Sequence, residues 1–348
     1  MSSRDRLGWG PFFEQQVRDA GDVHFARVVE EQRGAYRVAG DVDGWVEVSG
    51  RFRHDATTSA DFPAVGDWVA VRNRVIRRRL ERKSTVARAA AGRTTEQQVV
   101  AANVDTIFLV TALTRDLNPR RLERYLTLVW EAGAVPVIVL NKADLSTDPE
   151  AERDALGSRL PFVDIVTVSA VREDGLEALA AYLRPAETVA LLGSSGVGKS
   201  TIVNRLLGED RIRIAGLDAD GKGRHTTTAR QLVELAGGAL LIDTPGMREL
   251  QPWAEESSVA GAFDDIAALA ARCRFGDCAH DGEPGCAVTE AVADGRLDAD
   301  RLSNYRHLLR EAAFEERKRD KAAAANVKRR WKQTQQALKA FYRDRDRS

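Results

Sequence analysis

Gly193-Ser194-Ser195-Gly196-Val197-Gly198-Lys199-Ser200 follows the apolar run Thr188 to Leu192 and opens a helical pattern over Thr201 to Leu207. This is the Gly-x-x-x-x-Gly-Lys-Ser phosphate loop in its required strand–helix context. Its glycines let backbone N–H groups turn inward around phosphate oxygens at a helix N-terminus. Lys199 offers a point charge to the β- and γ-phosphates, and the hydroxyl of Ser200 suits Mg²⁺, with Thr201 beside it in the GTP-binding set. Two further motifs flank the loop. Asn141-Lys142-Ala143-Asp144 ends the apolar run Val135 to Leu140, and Asp243-Thr244-Pro245-Gly246 ends Ala239 to Ile242. The Asn-Lys-x-Asp motif, a guanine reader, normally lies downstream of the phosphate loop. Here it lies upstream, so three motifs acting together imply a circularly permuted nucleotide-binding domain.

The chemistry of each motif is specific. The Asp144 carboxylate can accept from the N1–H and the 2-amino group of guanine. Adenine offers no such pair, so a buried unpaired carboxylate would penalise it. Asn141 would brace the surrounding loops, and the Lys142 stem would lie along the base. Ser169-Ala170 ends a later strand, Ile165 to Val168, and would present a backbone N–H to guanine O6. Asp243 is expected to hold a Mg²⁺-bound water and the Gly246 N–H to touch the γ-phosphate. Between loop and strand lies Gly221-Lys222-Gly223-Arg224-His225-Thr226-Thr227-Thr228. One of Thr226, Thr227 and Thr228 would complete the Mg²⁺ shell. In Ras-like GTPases a glutamine after Asp-x-x-Gly positions the attacking water; here that residue is Met247, which cannot. His225 is the nearest able group, the alternative being an exposed loop histidine.

The surrounding texture sets the architecture. Strands and helices alternate from about residue 98 to Ile242, with Thr106 to Val110 fully apolar and Arg120 to Glu131 at helical spacing, which implies a mostly parallel sheet covered by helices. Before it, His24–Val29, Ala35–Val38, Trp45–Val48 and Gly66–Val71 read as short strands, with the basic stretch Val75 to Val86 as a fifth. Five strands in so short a span suggest a small barrel, an OB-fold foremost. Residues 1–20 show little pattern. After Gly246 the strands stop, and 255–316 look helical.

All three cysteines fall within that last region, as Cys273-x4-Cys278-x-His280-x5-Cys286. Clustering in an otherwise cysteine-free chain argues against disulfides. Three thiolates and an imidazole suit tetrahedral Zn²⁺, and the absence of an obvious open position favours a structural site over reactive cysteines.

The 348 residues carry 52 Lys/Arg against 52 Asp/Glu, yet charge is unevenly spread. From Arg317 to Ser348 there are 12 Lys/Arg and 3 Asp/Glu, a net of +9. Arg74, Arg77, Arg78, Arg79, Arg82 and Lys83 form a second basic run. Such blocks meet nucleic acid or are simply solvated faces and tails. No apolar run reaches the roughly 18 residues of a membrane span, and the N-terminus lacks a signal peptide's apolar core. A cytoplasmic protein is expected.

Together these motifs, with Gly66-Asp67-Trp68-Val69 in the barrel, resemble the RsgA (YjeQ) family of ribosome small-subunit-dependent GTPases over about 22–316. The resemblance implies an N-terminal extension (1–21), an OB-fold (22–92), a circularly permuted GTPase domain (93–252), a mostly helical zinc domain (253–316) and a basic tail (317–348) outside the family pattern. It implies a Mg²⁺-dependent enzyme that hydrolyses GTP to GDP on the 30S subunit during late maturation, contacts 16S rRNA, and acts as a monomer away from membranes. It also implies that His225 takes the role Met247 leaves empty. Two other readings stand beside it. One is a GTP-gated rRNA-binding protein with negligible turnover, favoured by Met247. The other, a small-molecule kinase, lacks a visible acceptor site.

Overall fold

The structure, a computed structural model, describes residues 2–17, 22–32, 34–89, 97–114, 117–208, 230–243 and 262–314. Two compact units are present, one of residues 1–89 and 96–252 and one of 90–95 and 253–348.

The first unit opens with a closed barrel. Its strands are β1 (His24–Gln32), β2 (Ala35–Gly40), β3 (Gly44–Val48), β4 (Trp68–Arg72) and β5 (Val75–Arg79). They close in the order β1-β2-β3-β5-β4-β1, with β3 and β5 parallel and every other pair antiparallel. This is the OB-fold. Val28, Tyr36, Val38, Val46, Val69 and Ile76 fill the interior. The stretch Val75 to Val86 is two strands rather than one. The chain leaves the barrel at buried Leu80 and re-enters regular structure as β6 (Thr85–Ala89), which forms a hairpin with β7 (Gln97–Ala102).

The nucleotide-binding sheet comprises β8 (Thr106–Ala112), β9 (Val135–Asn141), β10 (Asp164–Thr167), β11 (Thr188–Leu192), β12 (Arg230–Glu234) and β13 (Leu240–Asp243). Their order is β10-β9-β8-β11-β13-β12, all parallel except β12. Parallel strands buried on both faces run nearly continuously apolar, as β8 and β11 do apart from Thr106, Thr111 and Thr188. The helix Pro119–Glu131 lays Leu122, Leu126 and Val129 on one face, and Asn118 caps it through the Arg121 N–H.

Barrel and sheet are one body. β12 pairs antiparallel with β1, at Glu30 with Gln231 and Glu31 with Arg230, so the sheet runs on into the barrel. A single apolar cluster joins Leu7, Phe13, Phe25 and Trp68 to Ile107, Leu109 and Ile242. Arg27, fully buried, donates to the carbonyls of Leu7 (2.7 Å), Gly66 (3.0 Å) and Asn103 (3.0 Å), knitting N-terminal segment, barrel and sheet. Burial pulls its guanidinium down to about 10. Gly66 is required: at φ +96° a Cβ would lie 2.0 Å from the Ala102 carbonyl oxygen. Next to it, Asp67 takes a two-pronged pair from Arg82 (2.8 and 2.7 Å), and Trp68 packs edge-on against Trp9.

The second unit is helical over its described residues, with helices Asp264–Ala270, Ala287–Ala293 and 299–314. Phe263, Ile266, Val288, Leu302 and Leu308 form its core. Arg301 pairs with Asp265 (2.8 and 2.7 Å) and lies over the Phe263 ring. Among the described residues no helix is long and apolar enough to cross a membrane.

Candidate nucleotide site and metal cluster

The parallel strands deliver the motifs to one edge of the sheet, their carboxyl ends, where open α/β sheets bind ligands. β9 ends at Asn141, β10 leads to Ser169, β11 to Gly193, and β13 ends at Asp243. One edge of the sheet thus gathers residues up to 102 positions apart in the chain, from Asn141 to Asp243.

The loop Gly193–Gly198 turns into the helix Lys199–Leu207. Val197 is buried within it, while Ser195, Gly196 and Ser200 are exposed, and Ser194 and Thr201 are half-buried. The Lys199 ammonium donates to the carbonyls of Gly193 (2.6 Å) and Ser194 (2.5 Å), so the charge sits inside the loop. Gly198 has φ +98°, and a Cβ there would lie 2.2 Å from the Asn141 side-chain nitrogen. A glycine is needed because that amide occupies the space.

Asn141 is only 2% exposed and both ends of its amide are used. Nδ2 donates to the Val197 carbonyl (2.8 Å), and Oδ1 accepts from the Ala170 N–H (3.0 Å). One side chain therefore ties the phosphate loop to the Ser169-Ala170 turn. Lys142 adopts a left-handed φ of 63°. For a residue with a side chain this costs roughly 1–3 kcal/mol and marks an over-determined turn. It lets Ala143 donate to the Val168 carbonyl (3.1 Å) and starts the short 3-10 turn Ala143–Leu145. Asp144 is half-exposed and accepts from the Ser169 hydroxyl at 2.5 Å. That bond, supported by Arg172 and Lys142, holds its carboxyl below the usual carboxylate range.

The turn after β10 is tightly made. Ser169 and Asp174 exchange backbone hydrogen bonds (2.8 and 3.1 Å), and the Arg172 N–H donates to the Ser169 hydroxyl (3.3 Å). The Ala170 N–H is taken by Asn141, whereas that of Val171 has no partner among the described residues. Arg205, on the helix after the phosphate loop, donates Nε–H to the Ala170 carbonyl (3.2 Å) and pairs with Glu173 (2.5 Å). Sequence spacing carries no sign of Arg205, because its partner is 35 residues away on another strand's loop. His225, Thr226, Thr227, Thr228, Gly246 and Met247 lie outside the described residues, as does the side chain of Asp243.

In the second unit, Cys273, Cys278, His280 and Cys286 converge, their donor atoms all within 4.8 Å of one another. His280 Nδ1 is 3.6 Å from the Cys273 sulfur and 3.5 Å from that of Cys286, and those sulfurs are 3.9 Å apart. A tetrahedral Zn²⁺ with bonds of about 2.3 Å to sulfur and about 2.0 Å to nitrogen spaces two sulfurs by about 3.8 Å, and sulfur from nitrogen by about 3.5 Å. The cluster fits that ion. Glu283 accepts from the N–H groups of Ala279 (2.9 Å) and Asp281 (2.6 Å), curling the chain around His280. Burial opposes ionisation of Cys286, but hydrogen bonds from Thr289, His280 and Cys278 outweigh it and bring the thiol to about 6.

A phosphate loop, a guanine-type Asn-Lys-x-Asp turn placed earlier in the chain and a fused OB barrel define a circularly permuted P-loop GTPase. The chain matches the RsgA GTPase family over residues 79–253. It is 46% identical to the small ribosomal subunit biogenesis GTPase RsgA of Opitutus terrae, over 96% of both chains. With RsgA 2 of Vibrio parahaemolyticus it shares 44% identity, over 89% of this chain and 86% of the other. Its fold is similar to the crystal structure of YjeQ from Thermotoga maritima, at TM-score 0.64 and 26% identity, over 84% of this chain and 99% of that one. It is also similar to YloQ, described as a circularly permuted GTPase, at TM-score 0.60 and 26% identity, over 85% and 97%. The chain belongs to the RsgA GTPase family.

Proposed function

We propose that this protein is a GTPase of small ribosomal subunit biogenesis that binds the 30S subunit, hydrolyses GTP to GDP and phosphate under its stimulation, and so assists late maturation. The names of its relatives support the biological setting. The observation that carries the chemistry is the Asn141 amide, which joins the phosphate loop and the base-reading turn into one site.

In this reading Gly193, Ser194, Ser195, Gly196, Val197 and Gly198 wrap the phosphates with backbone N–H groups. Lys199 exchanges its two carbonyl partners for β- and γ-phosphate oxygens. Asp144, kept ionised by Ser169, accepts the guanine N1–H and 2-amino group, with Lys142 and Ala143 along the base. Ser200, one of Thr226, Thr227 and Thr228, and Asp243 through water hold Mg²⁺, which neutralises phosphate charge when bound; Thr201 binds the nucleotide beside the loop, and Gly246 contacts the γ-phosphate. His225 orients the attacking water in place of Met247. Cys273, Cys278, His280 and Cys286 hold one structural Zn²⁺. The barrel's basic strands and the zinc domain grip 16S rRNA through phosphate contacts and exposed aromatics. The domain limits are 22–92, 93–252 and 253–316, and the protein works as a cytoplasmic monomer.

GTP turnover with and without purified 30S subunits tests this. Turnover should rise at least tenfold with subunits. Subunit binding that depends on GTP but leaves turnover flat would favour a GTP-gated rRNA binder, the reading Met247 supports.

A further inference from the structure

The ion pair and hydrogen bond made by Arg205 lie outside the motifs, yet they close a ring around the base site. Asn141 holds the Ala170 N–H, and Arg205 holds the carbonyl of the same residue. The Ala170 residue is therefore gripped on both sides, once from β9 and once from the helix that carries the phosphate loop. Glu173 sits at φ 61° in the same turn and is anchored by the Arg205 guanidinium. A left-handed glutamate is strained and persists only where its surroundings over-determine it. Asp144 depends on this turn too, because its hydroxyl donor is Ser169.

We propose that Arg205 is a positioning residue for base selection. By holding the Ala170–Glu173 turn against the phosphate-loop helix, it sets the placement of Ser169, and through it Asp144, and of the Val171 N–H, which has no partner among the described residues. The ligand it discriminates is a guanine nucleoside phosphate. The inference rests on the guanine reading of Asp144. Arg205 and Glu173 side chains are 40% and 60% exposed, so water screens the ion pair. The bond to the Ala170 carbonyl is the firmer hold.

The test is Arg205→Met in the full-length chain. Methionine keeps the aliphatic stem and a good helix propensity while removing every donor. Equilibrium affinities for GDP and ADP are measured by competition at fixed salt. GDP affinity should fall roughly three- to tenfold, the scale of one partly screened charge-assisted hydrogen bond. ADP affinity, carried by the phosphates, should stay unchanged, so the GDP-over-ADP preference narrows by the same factor. Equal losses for GDP and ADP would mean that Arg205 only supports the helix, and an unchanged GDP affinity would mean it does nothing here; either overturns the inference. A parent chain with no preference for GDP over ADP would instead sink the guanine reading, and this inference with it.

Discussion

Asn141→Ala and Asn141→Asp separate the shape of the joint between the two loops from its chemistry. Alanine removes two hydrogen bonds and leaves the Val197 carbonyl and the Ala170 N–H facing a buried gap. Losing a bond and stranding its buried partner costs about 1–2 kcal/mol for each of the two groups, for a total of roughly 2–4 kcal/mol. Part of that falls on folding and part on ligand binding. GDP affinity should therefore drop on the order of 10²-fold, where the full amount would be about 30- to 1000-fold. Aspartate keeps the acceptor for Ala170 but points a second oxygen at the Val197 carbonyl oxygen. At pH 8 it should bind GDP more weakly than alanine does. Burial and the facing carbonyl raise the pKa of the introduced carboxyl. Protonated, it can donate to Val197 as the amide did, so affinity is recovered as pH falls and lost as pH rises through that raised pKa. The assay is fluorescence titration of GDP at pH 6, 7 and 8, with thermal melts alongside. The reasoning fails if the aspartate variant matches or exceeds the alanine variant at every pH, or if alanine binds GDP like the parent.

Three further outcomes are expected. The Asp144 pKa is lowered, chiefly by the Ser169 hydroxyl, so its contact with guanine holds above that value and is lost as pH falls through it; Ser169→Ala should move the loss of GDP affinity to higher pH in titrations from about pH 5 down to about pH 3, and an unmoved profile would contradict the assignment. His225→Ala should retain GTP binding but lose roughly 10²-fold in 30S-stimulated hydrolysis, the scale of a lost orienting or acid–base group; parent-level single-turnover rates would remove it from the mechanism. Elemental analysis of metal-replete protein should give one zinc per chain, and chelation should raise amide exchange in 262–314 with GDP affinity kept; zinc-free protein with unchanged exchange would contradict the cluster's role.

The motif runs were legible because they obey local rules. Phosphate loop, Asn-Lys-x-Asp and cysteine spacing need particular residue types at short separations, and apolar strands preceding them are plain in the sequence. Thr188–Leu192 emerged with its sequence-read limits, and the first four barrel strands within a few residues of theirs. The N-terminal segment was not legible. Its helices, Ser3–Arg6 and Pro11–Glu14, are too short to show a period, although Leu7, Trp9 and Phe13 pack around Trp68. The hairpin of β6 and β7 was missed for a related reason, its basic first strand reading as a continuation of the barrel.

The order of the motifs alone determined that the nucleotide domain is permuted, since order is a property of the chain and needs no coordinates. The Cys-Cys-His-Cys spacing likewise named the four residues that converge in one cluster. Only the tertiary structure decided how the parts are joined. β1 completing the sheet beside β12, Arg27 bonded to three carbonyls, Gly66 against Ala102 and Asn141 between Val197 and Ala170 are all contacts across distant stretches of chain. Such contacts leave no local pattern, because a buried polar group is satisfied by whichever backbone the fold brings to it.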